Sequence, residues 1–325
     1  GCSSLSVPPR GGGAGGGAPP RPPPRPLPGR VTDGLTVDIE LLYEAIISGI
    51  LLGSFYAAVS LGLSLAFGLL DVPHIAHPSF LVLGAFATYM LGLRGVDPLL
   101  AGVLMMPVFF VFGLAMYQFY YSTFEKRGTD TGLRGIAFFF GIAFIVEVGL
   151  IVAFGVDQRL VEASYIGTST RFGEMRVPNR MLVAFGVAVL LTAVLTVYLA
   201  KTFTGRAIKA VAQDEGALRL MGADPVRIKR FAFAIATATC ALAGALLIIV
   251  GPVDPGLGRL YIGRTFCVVV LAGLGSMSGT VVAGLILGIA ESIVLSSVGA
   301  AWAPAVAFGI LLVVLAVRPA GLFGR

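Results

Sequence analysis

Charge is what this sequence has least of: Asp, Glu, Lys and Arg make up 12% of its 325 residues, against roughly 25% in an ordinary soluble domain. That scarcity excludes a soluble enzyme. Histidine occurs only at positions 74 and 77, and cysteine only at 2, 240 and 267, so neither a disulfide framework nor a spaced Cys/His metal motif follows. No Gly-x4-Gly-Lys-[Ser/Thr] phosphate loop is present, and the sequence therefore lacks that signature of nucleotide hydrolysis. No set of nucleophile, base and orienting group stands out either.

What the sequence has instead is apolar length. Hydrophobic residues make up 57% of it, and residues 45–70, 98–124, 181–200, 231–253, 265–290 and 292–317 contain no charged side chain. Each run reaches the ~20 residues needed to cross a bilayer. The expected fold is all-α: a polytopic membrane bundle of about eight helices, over roughly 41–70, 76–93, 98–121, 136–156, 181–200, 231–251, 266–298 and 302–317. Pro73 and Pro78 predict a broken or re-entrant segment near 71–79, and the run Gly273 to Gly279 predicts another near 275–280. The expected membrane domain is 39–325. Residues 1–38 stand apart, because the first 30 hold eight Gly and nine Pro, a composition that cannot bury enough surface to offset its ordering entropy. We expect this tail to be disordered.

The net charge of +6 comes from connections between apolar runs, not from a basic stripe interleaved with aromatics, which argues for topology signals and against nucleic acid. Connection 201–230 carries seven Lys and Arg against three acidic residues, and the connection after the third span is also basic. Both are expected in the cytoplasm, two spans apart. The tail's four arginines predict the same side for it, which simple parity contradicts unless the break near 71–78 lies within the membrane. In 205–222, Ile208, Val211, Ala212, Leu218 and Met221 recur at helical spacing, with Arg206, Lys209, Gln213 and Asp214 on the polar side. Gly222 is placed to end that helix. Such an amphipathic helix fits either the lipid interface or a groove on a partner.

The stretch from Gly205 to Gly244 resembles the signature loop and following helix of the branched-chain amino acid ABC-importer permeases, the Liv permease family. Three further blocks resemble the same family in order: Gly53–Leu70 with the following His74-Ile-Ala-His77; Ala272–Gly279 with Gly284–Glu291; and Arg318–Gly324. The shorter, H-type subunit is the better match. The resemblance implies a permease subunit of the bacterial inner membrane, with ATP and Mg used by partner ATPases and no cofactor bound by this chain. The implied partners are a second related permease subunit, two cytoplasmic ATP-binding subunits, a periplasmic substrate-binding protein and membrane lipid. It also implies that Arg206, Lys209, Gln213, Asp214, Arg219 and Gly222 belong to the segment that docks on the ATPase. His74 and Pro78 depart from the family pattern, which usually has Asn and Gly there, so substrate preference could differ from leucine, isoleucine and valine; close relatives move urea and short amides.

Pathway candidates are the polar residues at breaks and inside spans: His74, His77, Ser79, Glu147, Ser276, Ser278 and Glu291. Asp71, His74 and His77 have a spacing at which a metal could be shared, but local hydrogen bonding at a helix break is the simpler reading, and no metal is expected. A carboxylate inside a span is unfavourable by at least ~2.5 kcal/mol, so Glu147 and Glu291 each need a partner, a polar cavity or a proton. A protonated Glu147 is the simplest expectation. Carboxylates there also fit a proton-coupled secondary transporter, the main rival. Gly49/Gly53, Gly275/Gly279 and Gly284/Gly288 have the spacing that lets membrane helices approach closely, and the glycine-rich block lacks the spacing and preceding strand of a dinucleotide site.

Overall fold

The computed structural model describes residues 39–70, 72–127, 131–172, 175–318 and 320–324. The tail 1–38 and Asp71 lie outside the described residues. Helices α1 (Ile39–Leu70), α2 (His77–Gly92), α3 (Pro98–Thr123), α4 (Thr131–Phe154) and α5 (Asn179–Lys201) precede two short helices, α6 (Phe203–Val211) and α7 (Glu215–Leu220). Then follow α8 (Pro225–Val250), α9 (Leu257–Ala272), α10 (Met277–Ser297) and α11 (Ala303–Val317). Among the described residues seven helices are long and apolar enough to cross a membrane: α1, α3, α4, α5, α8, α10 and α11.

The other two apolar helices, α2 and α9, have 16 residues each, about 24 Å at 1.5 Å per residue and so short of a ~30 Å hydrocarbon core. The expected seventh pass is two helices, α9 and α10, joined at Gly273–Ser276, where Gly273 and Gly275 both have positive φ. α9 also begins well before the expected residue 266, because Arg259 and Arg264 made its first half read as a connection. Among the described residues one small sheet stands beside the helices: β1 (Ser169–Phe172) pairs antiparallel with β2 (Met175–Pro178) in the connection before α5.

α8 is buried along most of its length and α1 along much of it, whereas α3, α4, α5 and α11 expose large apolar side chains. That distribution suits a bundle whose outer solvent is lipid, where exposed Val152 or Leu312 meets hydrocarbon. Small residues make the centre of α8 close-packed: Ala241, Ala243, Gly244 and Ala245 are buried, and α1, α2 and α3 pack around it.

α1 and α10 lie antiparallel, with Gly49 against Ile289, Gly53 against Gly284 and Leu285, and Gly68 against Gly275. A Cβ on Gly53 would lie 2.7 Å from both the Gly284 oxygen and the Leu285 Cα, so only a glycine permits this approach. The first half of α1 meets β2 and the start of α5, where Ile47 and Leu51 pack with Val177 and Met181. The N-terminal end of α1 is therefore at the end of the bundle opposite the basic helices α6 and α7, although α2 is too short to complete a second crossing. At the other end of α10, residues 320–324 fold back under the α9–α10 turn: the Leu322 and Phe323 amides donate to the carbonyls of Leu271 (2.9 Å) and Ala272 (3.1 Å).

Candidate coupling and translocation sites

The basic connection is not one amphipathic helix. It breaks after Val211, and Asp214, expected on the polar side of a continuous helix, instead caps α7 by accepting from the Ala217 amide at 3.0 Å. Thr202 caps α6 in the same way, accepting from Gly205 N at 3.0 Å. Ile208 and Val211 turn inward and are buried. Leu220 and Met221, however, are 91% and 84% exposed, so Met221 does not join the inner face. Arg206, Lys209, Gln213, Asp214, Arg219 and Gly222 are all exposed. Gly222, at φ 78°, ends α7, and Asp224 then starts α8 by accepting from Val226 N at 3.0 Å. The product is a short, capped two-helix projection with an apolar tip.

The break before α2 is buried. His77 Nε2 donates to the Val59 carbonyl at 2.9 Å, leaving Nδ1 3.3 Å from Cys240 Sγ. His74 lies among the rings of Phe80, Phe139 and Phe233, whose centroids are 4.6–5.4 Å away. Among the described residues neither His74 nitrogen has a hydrogen-bond partner.

Both carboxylates expected to be costly are paired with arginines of α9. Arg259 Nε lies 3.0 Å from Glu147 Oε1, and Arg264 Nε lies 3.1 Å from Glu291 Oε1. Where a protonated Glu147 is the simplest expectation, the structure sets an arginine beside it, a charged partner of the kind such a carboxylate needs. The Arg264 guanidinium also lies 5.7 Å from the ring centre of Tyr56 and 5.4 Å from that of Tyr261, close enough for cation–π attraction. Sequence reasoning missed both arginines and both tyrosines; the available signal was an unpaired carboxylate in an apolar run with two arginines at the margin of the next one.

The serines occupy other places. Ser276 caps α10, accepting from Gly279 N at 3.1 Å, Ser278 is exposed and Ser79 half-buried. Of the seven pathway candidates, His74 and His77 lie together, with ring centroids 5.5 Å apart, and Ser79 and Glu147 both lie beside the start of α9, next to Gly258 and Gly256. A different group also converges: Ser54 and Ala57 of α1, Val189, Thr192, Ala193, Thr196 and Val197 of α5, and Val281 of α10 line a groove of about 290 Å³. Ser54 and Thr192 donate to carbonyls of their own helices at 2.9 and 2.7 Å, which leaves their oxygens able to accept. A larger groove of about 660 Å³, between α3, α5 and α8, is almost wholly apolar.

The family model for "branched-chain amino acid transport system / permease component" matches residues 45–315. The chain belongs to this family. It is 28% identical over 297 residues to the high-affinity branched-chain amino acid transport system permease protein LivH of Escherichia coli strain K12, covering 87% of this chain and 95% of the relative. It is 26% identical over 296 residues to the corresponding protein BraD of Pseudomonas aeruginosa, with the same coverage. A probable LivH of Methanocaldococcus jannaschii is 27% identical over 254 residues, 75% of this chain and 78% of the relative. No solved structure matches the chain. As a branched-chain amino acid permease family member, the chain is a transport subunit and not an enzyme, one component of a larger transport system, and a multi-pass inner-membrane protein.

Proposed function

We propose that this chain forms one half of the translocation pathway of an ATP-driven importer for branched-chain amino acids. The match along residues 45–315 carries that reading; two features of the bundle give it a mechanism. Residues 39–325 act as the permease domain. The α6–α7 projection, within 201–230, docks on one of two cytoplasmic ATPases, with Leu220 and Met221 as the apolar tip inserted into the ATPase and Arg206, Lys209 and Arg219 around it. Mg-ATP stays with those partners. A periplasmic binding protein delivers substrate on the opposite side, near the β1–β2 hairpin.

The groove between α1, α5 and α10 is the proposed wall of the path, closed on its open side by a second, related permease subunit. Its Ala and Val side chains suit a branched apolar substrate, while the oxygens of Ser54, Thr192 and Thr196 accept from the substrate ammonium. Binding must favour different conformations on the two sides for ATP to drive transport. Cysteine at Thr192 or Thr196 should react with a water-soluble thiol reagent in the assembled transporter and be protected by leucine. Cysteine at Val194, in the apolar groove, serves as the control. Equal labelling at all three positions, unaffected by leucine, would remove the groove from the pathway.

A further inference from the structure

We propose that Lys229 is the joint through which movement of the α6–α7 projection reaches the rest of the bundle, a positioning role that rests on the importer reading above. Lys229 lies near the start of α8 and is buried, an unfavourable place for an ammonium unless it is paired. Its Nζ pairs with two carboxylates from different elements. One is Glu215, the first residue of α7. The other is Glu125, in the turn between α3 and α4, at 3.2 Å.

The contacts continue inward from Glu125. Its Oε2 accepts from the Tyr117 hydroxyl at 2.9 Å, and the fully buried Tyr117 ring of α3 lies 5.7 Å from that of Phe233 on α8. Phe233 in turn lies 4.6 Å from His74 in the break before α2, and 5.8 Å from Phe139 of α4. Thus one ammonium ties the docking projection to the α3–α4 turn, and that turn is packed onto the aromatic cluster around the break.

Among the described residues little else holds α7. It is six residues long, and none of them is buried, so force on its tip has almost no packed surface through which to pass. Its other ion pair, Glu215 with Arg219 at 4.0 Å, is internal to the helix. Removing the ammonium does more than delete an attraction: it leaves Glu215 and Glu125 facing each other without the cation between them, so α7 is pushed from the bundle. Docking then survives while the displacement it produces no longer moves α3, α4 and α8 together.

The test uses the complete transporter, this chain copurified with its partner subunits, in vesicles where uptake of radiolabelled leucine and ATP hydrolysis are read together. For K229M, ATP hydrolysis continues at the parent rate while uptake falls at least about tenfold, within the range of couplings between distant sites. K229R, which keeps a cation within reach of both carboxylates, restores uptake. Retention of both activities by K229M overturns the proposal. Should K229M fail to assemble, E215Q decides: it leaves Lys229 paired with Glu125, and leucine transported per ATP must fall; an unchanged ratio overturns the joint. Parent vesicles that show no ATP-driven uptake sink the importer reading, and the joint with it.

Discussion

Arg264 makes a carboxylate tolerable where none would otherwise stand. Glu291 is almost completely buried, its partner's guanidinium is largely so, and two tyrosine rings flank the pair. Breaking such a pair by removing one member leaves an uncompensated charge, which destabilises by roughly 3–5 kcal/mol. R264M should therefore lower the thermal midpoint of the detergent-solubilised protein sharply, and adding E291Q should recover much of the loss; equal destabilisation by the double variant would show that the pairing is not what matters. R259Q should have a much smaller effect, because Arg259 is mostly exposed. The sequence made Glu147 and Glu291 conspicuous, since each interrupts an apolar run. It could not show their partners, because pairing is set by how α9 lies against α4 and α10, and nothing in the local pattern around Arg259 or Arg264 encodes that.

At the scale of elements, glycine spacing was legible and glycine pairing was not. Gly49/Gly53 and Gly284/Gly288 announce faces that admit a close neighbour, but the period of a helix is silent on which neighbour it will be. The fold brings the two pairs against each other. G53L should push α1 from α10, and overpacking of this kind typically costs about 1–3 kcal/mol or more; the expected outcome is loss of folded, extractable protein, checked by size-exclusion chromatography. The docking segment shows the opposite limit. Its apolar spacing is genuinely helical, yet Asp214 satisfies the amide of Ala217 and begins a second helix, a local competition that periodicity alone does not resolve. The tip this creates carries a prediction of its own. L220D, on a side chain with no packing role in the bundle, should leave folding intact while abolishing copurification with the ATPase subunit, and unchanged copurification would move the docking surface elsewhere.

For the whole molecule, the spacing of charge revealed a polytopic bundle, because bilayer thickness acts on any sequence alike. The shortness of α2 and α9 was hidden, since an apolar run says how much hydrocarbon a segment tolerates and not how far it extends. The same bundle bears on energy supply. Glu147 and Glu291 are both paired with arginines, and on the importer reading leucine uptake in ATP-loaded vesicles should persist when a protonophore collapses the proton gradient; abolished uptake there would favour the proton-coupled rival. The backbone bonds from Leu322 and Phe323 to the end of α9 also have a consequence for how the protein is made. During synthesis α9 is inserted before α10, α11 and residues 320–324 exist, so the carbonyls of Leu271 and Ala272 first face their surroundings without those partners. The α9–α10 turn is therefore closed only after α10 and α11 have been made, which makes residues 320–324 a late lock on the assembly of a turn two helices upstream.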